Sequence, residues 1–316
     1  MLQYDLIIVG GGASGLSAGV SALRSGIKNV LILDRNKELG GNLNIFIHNS
    51  FGKYFLGKEV TGPELSSELI SEYRVLKGNY KLNTEVLEIS KNKVVTYVNP
   101  EEGIQEIKAK SIILASGCRE KFAGNINIPI HRYTGIFSLL SAHKLVNLQG
   151  YLPGKKVIVV GNNKWSLILA RRLEIEGAEI QAFIDTSKDG LEEYLNIIEG
   201  FNIDIIKNHR VIDLYGNERI ESVDIKNLED NTVRNIKCDS LVLKIGYNPE
   251  TSFIRKVNMA LDDKGHPIVN ENFKTSEKGV FATGTLVLGE ESIFNSGENG
   301  YLVGGNAAKY IKKYIY

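Results

Sequence analysis

Three glycines and one carboxylate near the amino end have the spacing of a diphosphate seat. Gly10, Gly12 and Gly15 read G-x-G-x-x-G, and Asp34 follows Gly15 by 19 residues. In this pattern the first glycine permits a tight turn. The second lets main-chain amides approach a pyrophosphate, and the third lets helix and strand pack closely. A helix opening at such a turn aims unpaired N–H groups and the positive end of its dipole at the phosphates. Asp34 is placed to accept from a ribose hydroxyl, and its charge disfavours a 2′-phosphate there. The motif alone is weak; its context is not. It follows the apolar run Tyr4–Val9, it precedes the helically spaced stretch Ser14–Arg24, and Asp34 ends a second apolar run, Val30–Leu33. Together these predict a βαβ unit.

A second turn resembles the first but has lost most of it. Gly161-Asn162-Asn163-Lys164-Trp165-Ser166 follows Val157–Val160 and precedes a helical stretch, Ser166–Glu176; Glu179–Ile184 then ends at Asp185. Only Gly161 survives of the three glycines. Asn163 puts a Cβ where a pyrophosphate would approach, and Asn tolerates positive φ only in part. Two features point the other way. Lys164 adds a cation at the helix start, and Asp185 keeps the acid at the end of the strand. Nicotinamide dinucleotide binding by Gly161, Lys164 and Asp185 is therefore one expectation; a Rossmann-like domain kept for shape or for docking a partner is the other. Trp165 is placed either to stack on a ring or to pack in the turn.

The elements that carry these turns form a two-copy repeat. After the first βαβ unit, Thr61-Gly62-Pro63-Glu64 reads as a helix start, with Leu65, Leu69, Tyr73 and Leu76 on one face. An alternating meander spans Leu82–Ile107, and a buried strand, Ile112–Leu114, runs into Ala115-Ser116-Gly117. The second copy has alternating segments at 211–214, 220–228 and 232–237, then Leu241–Leu243 closing at Gly246. The tail supplies a strand at Val280–Ala282 and a helix over Gly300–Ile315, which return to complete the first domain. The expected class is α/β: two Rossmann-like dinucleotide-binding domains, each with a central parallel sheet and a small antiparallel meander. Residues 1–118 and 247–316 form the first domain, and 119–246 the second.

Composition narrows the chemistry. The 316 residues are 43% hydrophobic and 24% charged, as in soluble globular proteins of about two domains. A formal net charge of +1 gives no field to gather nucleic acid or anionic lipid. No apolar run reaches the roughly 18–20 residues of a membrane span, and no signal peptide precedes the first strand. Cys118 and Cys238 are the only cysteines. They exclude a disulfide scaffold, a Cys-rich zinc site and a C-x-x-C redox pair; no metal is expected, and the reducing cytoplasm is the expected location.

Over essentially its whole length the chain resembles the FAD/NAD(P)-binding pyridine nucleotide-disulfide oxidoreductase superfamily, and in size the thioredoxin reductases. More narrowly it is similar to bacterial flavoproteins found beside glycerol-3-phosphate dehydrogenase. The runs that carry this are Glu38-Leu39-Gly40-Gly41-Asn42-Leu43-Asn44, Ile47-His48-Asn49-Ser50-Phe51-Gly52, Val98–Gly103 and Gly117-Cys118-Arg119-Glu120. The resemblance implies FAD. Gly10, Gly12, Ser14 and Gly15 would hold its pyrophosphate, Asp34 with Arg35 its adenosine ribose, and Val86 its adenine. Gly41 and Asn42 would lead toward the flavin. Ala115-Ser116-Gly117 is similar to the family's A-T-G element, and Phe281–Gly284 to its carboxyl-terminal FAD motif. Glu298 and Asn299 stand where a helix start faces the flavin pyrimidine. Thr285 departs from the acid usual after that motif, which implies a weaker hold on the ribityl chain. Phe46 replaces a cysteine common in the narrower group, so dithiol relay is not expected.

Hydride transfer between nicotinamide and flavin requires no side-chain acid or base. His48 and Cys118 are the only catalytic candidates; a hydrogen-bonded structural histidine and an inert thiol are the plainer expectations. Arg119 and Glu120 are expected to make a structural ion pair or to touch the cofactor edge. Three functions follow. The first is an FAD-dependent oxidoreductase moving electrons between NAD(P)H and a small-molecule redox substrate or partner redox protein. The second is an FAD-containing electron-transfer subunit that does not bind nicotinamide. The third is a non-catalytic structural subunit. A homo-oligomer or a hetero-complex is compatible with each.

Overall fold

The long apolar runs become the central strands of two parallel sheets. A computed structural model describes residues 1–121, 132–187, 190–289 and 295–315. In chain order the elements begin with β1 (Leu2–Val9), α1 (Ala13–Arg24), β2 (Val30–Leu33), β3 (Asn49–Phe51), α2 (Lys53–Leu56), β4 (Val60–Thr61) and α3 (Gly62–Val75). Next come β5 (Asn79–Lys81), β6 (Glu85–Ile89), β7 (Val94–Asn99), β8 (Gly103–Leu114) and β9 (Cys118–Glu120). The second copy supplies β10 (Ile136–Ser138), α4 (Leu139–Gln149), β11 (Lys156–Val160), α5 (Lys164–Ile175), β12 (Glu179–Asp185), β13 (Ile205–Lys207), β14 (His209–Gly216), β15 (Ile220–Asn227), β16 (Val233–Lys237) and β17 (Ser240–Leu243). The chain returns through β18 (Tyr247–Pro249), β19 (Val280–Ala282), α6 (Thr285–Leu288) and α7 (Ser296–Ile315). No described helix is long and apolar enough to cross a membrane.

Two compact units result. One comprises Met1–Arg119 with Tyr247–Tyr316, the other Glu120–Gly246. Arg119, set in the second domain by the sequence pattern, groups with the first unit, where it meets Glu85 and Glu250.

In the first unit the sheet order is β5-β2-β1-β8-β7-β6, with β19 also on β8. The central strands β1, β2 and β8 run parallel and are buried on both faces, which is why they read as unbroken apolar runs. The structure corrects one boundary. The meander and the buried strand after it are not separate; β8 is a single twelve-residue strand, antiparallel to β7 over its first half and parallel to β1 over its second. Its Ser111 is the polar break in the run, and that hydroxyl donates to Gly279 O (2.8 Å). The helix start at Thr61 is a full capping box with Glu64.

The last helix begins at Ser296, four residues before the predicted Gly300. It lies directly on α1. A Cβ on Gly300 would stand 2.2 Å from Ser14 O, and one on Gly304 2.1 Å from Ala18 O. The glycines one turn apart therefore set the close approach that brings the start of α7 beside the start of α1.

In the second unit the sheet order is β10-β17-β11-β12-β13, all parallel, and β14-β15-β16 form a separate antiparallel sheet. Ile158, Val160, Ala182, Ile184, Leu214, Val223 and Ile225 share the core between them. The strand β10 and helix α4 lack a strong sequence signal: β10 has three residues, and α4 buries only Leu139, Ala142, His143 and Val146.

Candidate functional site

The glycine turn after β1 behaves as its spacing predicts. Gly10 takes φ +103°, a left-handed value, and its missing Cβ would meet Ala115 O at 2.3 Å. A Cβ on Gly15 would stand 1.8 Å from Gly10 O. Over Gly12 the space is open: the nearest atom to an added Cβ is Gly41 Cα at 3.9 Å. Gly12 is also the N-cap of α1 and has no side chain to satisfy the first turn. The positive end of a twelve-residue helix thus faces open space with nothing capping it from the N-cap position.

That space is a cleft confined to the first unit. It is lined by Gly10, Gly12, Ser14, Asp34, Arg35, Gly41, Asn42, Val86, Ala115, Ser116, Gly117, Cys118, Gly284 and Thr285. These side chains come from the exits of β1, β2, β8 and β19 and from the start of β6. Parallel α/β sheets bind ligands outside the carboxyl ends of their strands. Gly15 stands behind the turn, inside α1. Glu298 lines an adjoining recess with Phe51, Lys53, Tyr54 and Phe55, and Asn299 lines neither. His48 does not line the cleft; its ring packs against Phe46 (5.9 Å) and Phe51 (5.4 Å). Cys118 is half-buried and its thiol donates to Thr285 O (2.9 Å).

Asp34 is buried and oriented by the turn it faces. Gly11 N–H donates to its Oδ2 (2.6 Å), and Asn36 donates to Oδ1 through N–H (2.7 Å) and Nδ2 (2.9 Å). Next to Gly284, Thr283 is fully buried, and among the described residues its hydroxyl has no hydrogen-bond partner. Thr84, Glu85, Glu250, Ser252 and Phe253 also line the cleft and carry no motif that marks them. Glu250 follows β18, some 216 residues beyond Asp34, and only the fold brings the two to one wall.

The second glycine turn is built differently. Gly161 is not in a left-handed conformation. The Ser166 side chain fills the place beside it, where a Cβ on Gly161 would meet Ser166 Oγ at 2.1 Å. Asn163 is the N-cap of α5, and its Oδ1 accepts from Ser166 N–H (3.1 Å) and Ser166 Oγ (2.6 Å). Asn162 Oδ1 accepts from Lys244 Nζ (2.8 Å). Asp185 is fully buried; its Oδ1 takes Ser187 N–H (2.8 Å) and Oγ (2.7 Å), while Oδ2 has no hydrogen-bond partner among the described residues. Lys164 opens α5, and Trp165 is buried in the unit's interior. Asn163 Oδ1 thus occupies the Ser166 amide at the helix start, and Asp185 Oδ1 bonds Ser187 beyond its own strand exit.

Glu120, the other half of the expected Arg119–Glu120 pair, bonds elsewhere. It accepts from Leu140 N–H (2.9 Å) and from Ser138 Oγ, capping α4, and burial pushes its carboxyl above the ordinary value. Arg119 pairs instead with Glu85 and Glu250. Cys238 is buried, and burial pushes its thiol up to about 12. No group of three or more metal-ligating side chains occurs among the described residues.

The pyridine nucleotide-disulphide oxidoreductase family model matches residues 4–300. The thioredoxin reductase of Borreliella burgdorferi is 26% identical over 289 residues, covering 89% of this chain and 84% of that one. A 34.2 kDa protein in the rubredoxin operon of Clostridium pasteurianum is 24% identical over 291 residues, covering 90% of this chain and 89% of its own length. Among solved structures, T. acidophilum thioredoxin reductase superposes with a TM-score of 0.82 at 24% identity, covering 100% of both chains.

Proposed function

Because the chain belongs to the pyridine nucleotide-disulphide oxidoreductase family and is a flavin-dependent oxidoreductase, we propose that FAD lies along the cleft of the first unit. Electrons then pass between NAD(P)H and an acceptor reached without a protein dithiol. One observation carries the reading: an uncapped helix start at Gly12, open space above it, and Asp34, Gly284 and Thr285 lining the same cleft.

The chain's own residues bind and orient. Amides of the first turn of α1 meet the diphosphate, and the helix dipole favours its charge. Asp34, already turned toward the glycine turn by Gly11, accepts from the adenosine ribose. The Thr285 hydroxyl, which lines the cleft, would hold the ribityl chain with a neutral hydrogen bond, weaker than the charged one the family resemblance implies for an acid there. When bound, FAD supplies the hydride acceptance and electron release that no side chain provides. Cys118 and Cys238 lie in different units, and the Cys238 thiol stays protonated at neutral pH. Neither supports a disulfide relay, which favours a small-molecule redox substrate or a partner redox protein as acceptor, in the cytoplasm.

A second reading is favoured by the self-capped turn at Asn163: the chain keeps FAD but receives its electrons from a partner rather than from nicotinamide held by the second unit. Anaerobic titration of the yellow protein, followed at about 450 nm, decides between them. Bleaching by NADH supports the first reading. Bleaching by dithionite but by neither NADH nor NADPH supports the second. A preparation that takes up no flavin refutes both.

A further inference from the structure

Glu250 stands in the wall of the cleft, and binding the diphosphate or the ribose leaves it no task. Its side chain is 9% exposed, yet it meets two arginines that are 40% and 54% exposed. Oε2 accepts from Arg35 Nη1 (3.1 Å) and from Arg119 Nε, and Oε1 accepts from Ser252 Oγ (2.6 Å). Arg119 reaches on to Glu85 Oε1 (3.6 Å). The main chain of Glu250 is tied to the exit of β8: its N–H donates to Gly117 O (2.9 Å), and its carbonyl accepts from Ser116 Oγ (2.9 Å).

Three segments far apart in sequence thus meet at one carboxylate, and a fourth joins them through Arg119. Arg35 follows Asp34 at the exit of β2, Glu85 opens β6, Arg119 lies in β9 and Glu250 follows β18. All four line the cleft beside Asp34 and Val86. A desolvated carboxylate is costly unless it is paired and hydrogen-bonded, and an apolar wall would serve folding as well. The paired residues line the cleft together with Asp34, the acid after β2 that in such sheets fixes a ribose.

Resting on the reading of this cleft as an FAD seat, we propose that Arg35, Arg119 and Glu250 form an ionic clasp that retains the adenosine half of FAD and must open for FAD to leave. The anion is anchored and buried, and the cations are the members that solvent reaches. Salt therefore weakens the clasp from outside. FMN has no adenosine half, so the clasp does not act on it.

The test is FAD release from the full-length holoprotein, read as recovery of free-flavin fluorescence, together with FMN binding to the apoprotein. Glu250→Gln keeps the shape and removes the charge; Arg119→Ala truncates an exposed arm and keeps the test open should the first variant fold poorly. The expected result is FAD release at least about tenfold faster in either variant. Release from the unsubstituted protein accelerates between about 0.05 and 1 M chloride, and that acceleration is lost in Glu250→Gln. FMN affinity stays unchanged throughout. Unchanged FAD release in both variants, or equal weakening of FAD and FMN, overturns the clasp while leaving the FAD seat intact. Uptake of neither flavin by the unsubstituted protein overturns both.

Discussion

The turns at Gly10 and Gly161 occupy the same place in two copies of one supersecondary pattern, and they have opposite chemistry. At the first, glycines keep the helix start bare, and the neighbouring acid lines the cleft. At the second, Asn163 bonds the start of its own helix, and Ser166 fills the gap a third glycine would leave. A helix start offers unpaired amides to whatever reaches them first. A capping side chain competes with a ligand for them. The two turns thus differ at the second and third glycine positions, where Asn163 and Ser166 stand in the second copy, while the strand–turn–helix order is kept.

The contrast is broken most directly by adding one methyl group. Gly15→Ala places a Cβ against Gly10 O and should lower FAD affinity by at least about 100-fold, roughly 3 kcal/mol, measured by flavin titration of the apoprotein. Wild-type affinity would mean that the close approach is not needed. The reverse change sharpens the contrast. Asn163→Gly with Ser166→Gly removes the cap and should speed anaerobic flavin reduction by NADH about tenfold, at a cost of about 1 kcal/mol or more in stability from the lost cap and helical glycine. If stopped-flow traces show no acceleration, the second turn is closed by something other than its own side chains. The two acids should also separate. Asp34→Asn is expected to weaken FAD by about tenfold, whereas Asp185→Asn should leave FAD affinity unaltered and change only the melting temperature.

The smallest effect concerns the second unit's thiol. Cys238 is raised by burial from an ordinary value of 9.0 to about 12. The folded state therefore holds a proton that the unfolded state releases above pH 9. Stability from this group is intact below pH 9 and is lost progressively as pH rises toward 12. Cys238→Ser should flatten that alkaline slope in denaturant titrations. An unchanged slope would show that other groups set it.

Much of the first site is legible in the sequence because its requirements are local. A left-handed φ at Gly10, the missing Cβ at Gly15 and the exit of the next strand at Asp34 are fixed by steric rules over a few residues and by a spacing of about 20. The start of α7 is less legible: Ser296–Gly300 has the glycine content of a loop, and its small residues serve the close packing on α1. The single strand β8 is also not legible from local pattern. Its charged first half and apolar second half read as two elements until antiparallel and parallel neighbours are seen to share it.

From its residues alone the chain determines two copies of a parallel α/β pattern, the first competent for a diphosphate and the second eroded, and the absence of a cysteine pair. Tertiary structure alone decides that Asn163 spends its side chain on its own helix, that Arg119 leaves Glu120 for Glu85 and Glu250, and that Glu250 joins Asp34 in one wall. The reason is physical. Backbone strain and hydrophobic period act between near neighbours and leave a trace in spacing, whereas an ion pair between segments 131 residues apart depends only on where strands are brought together.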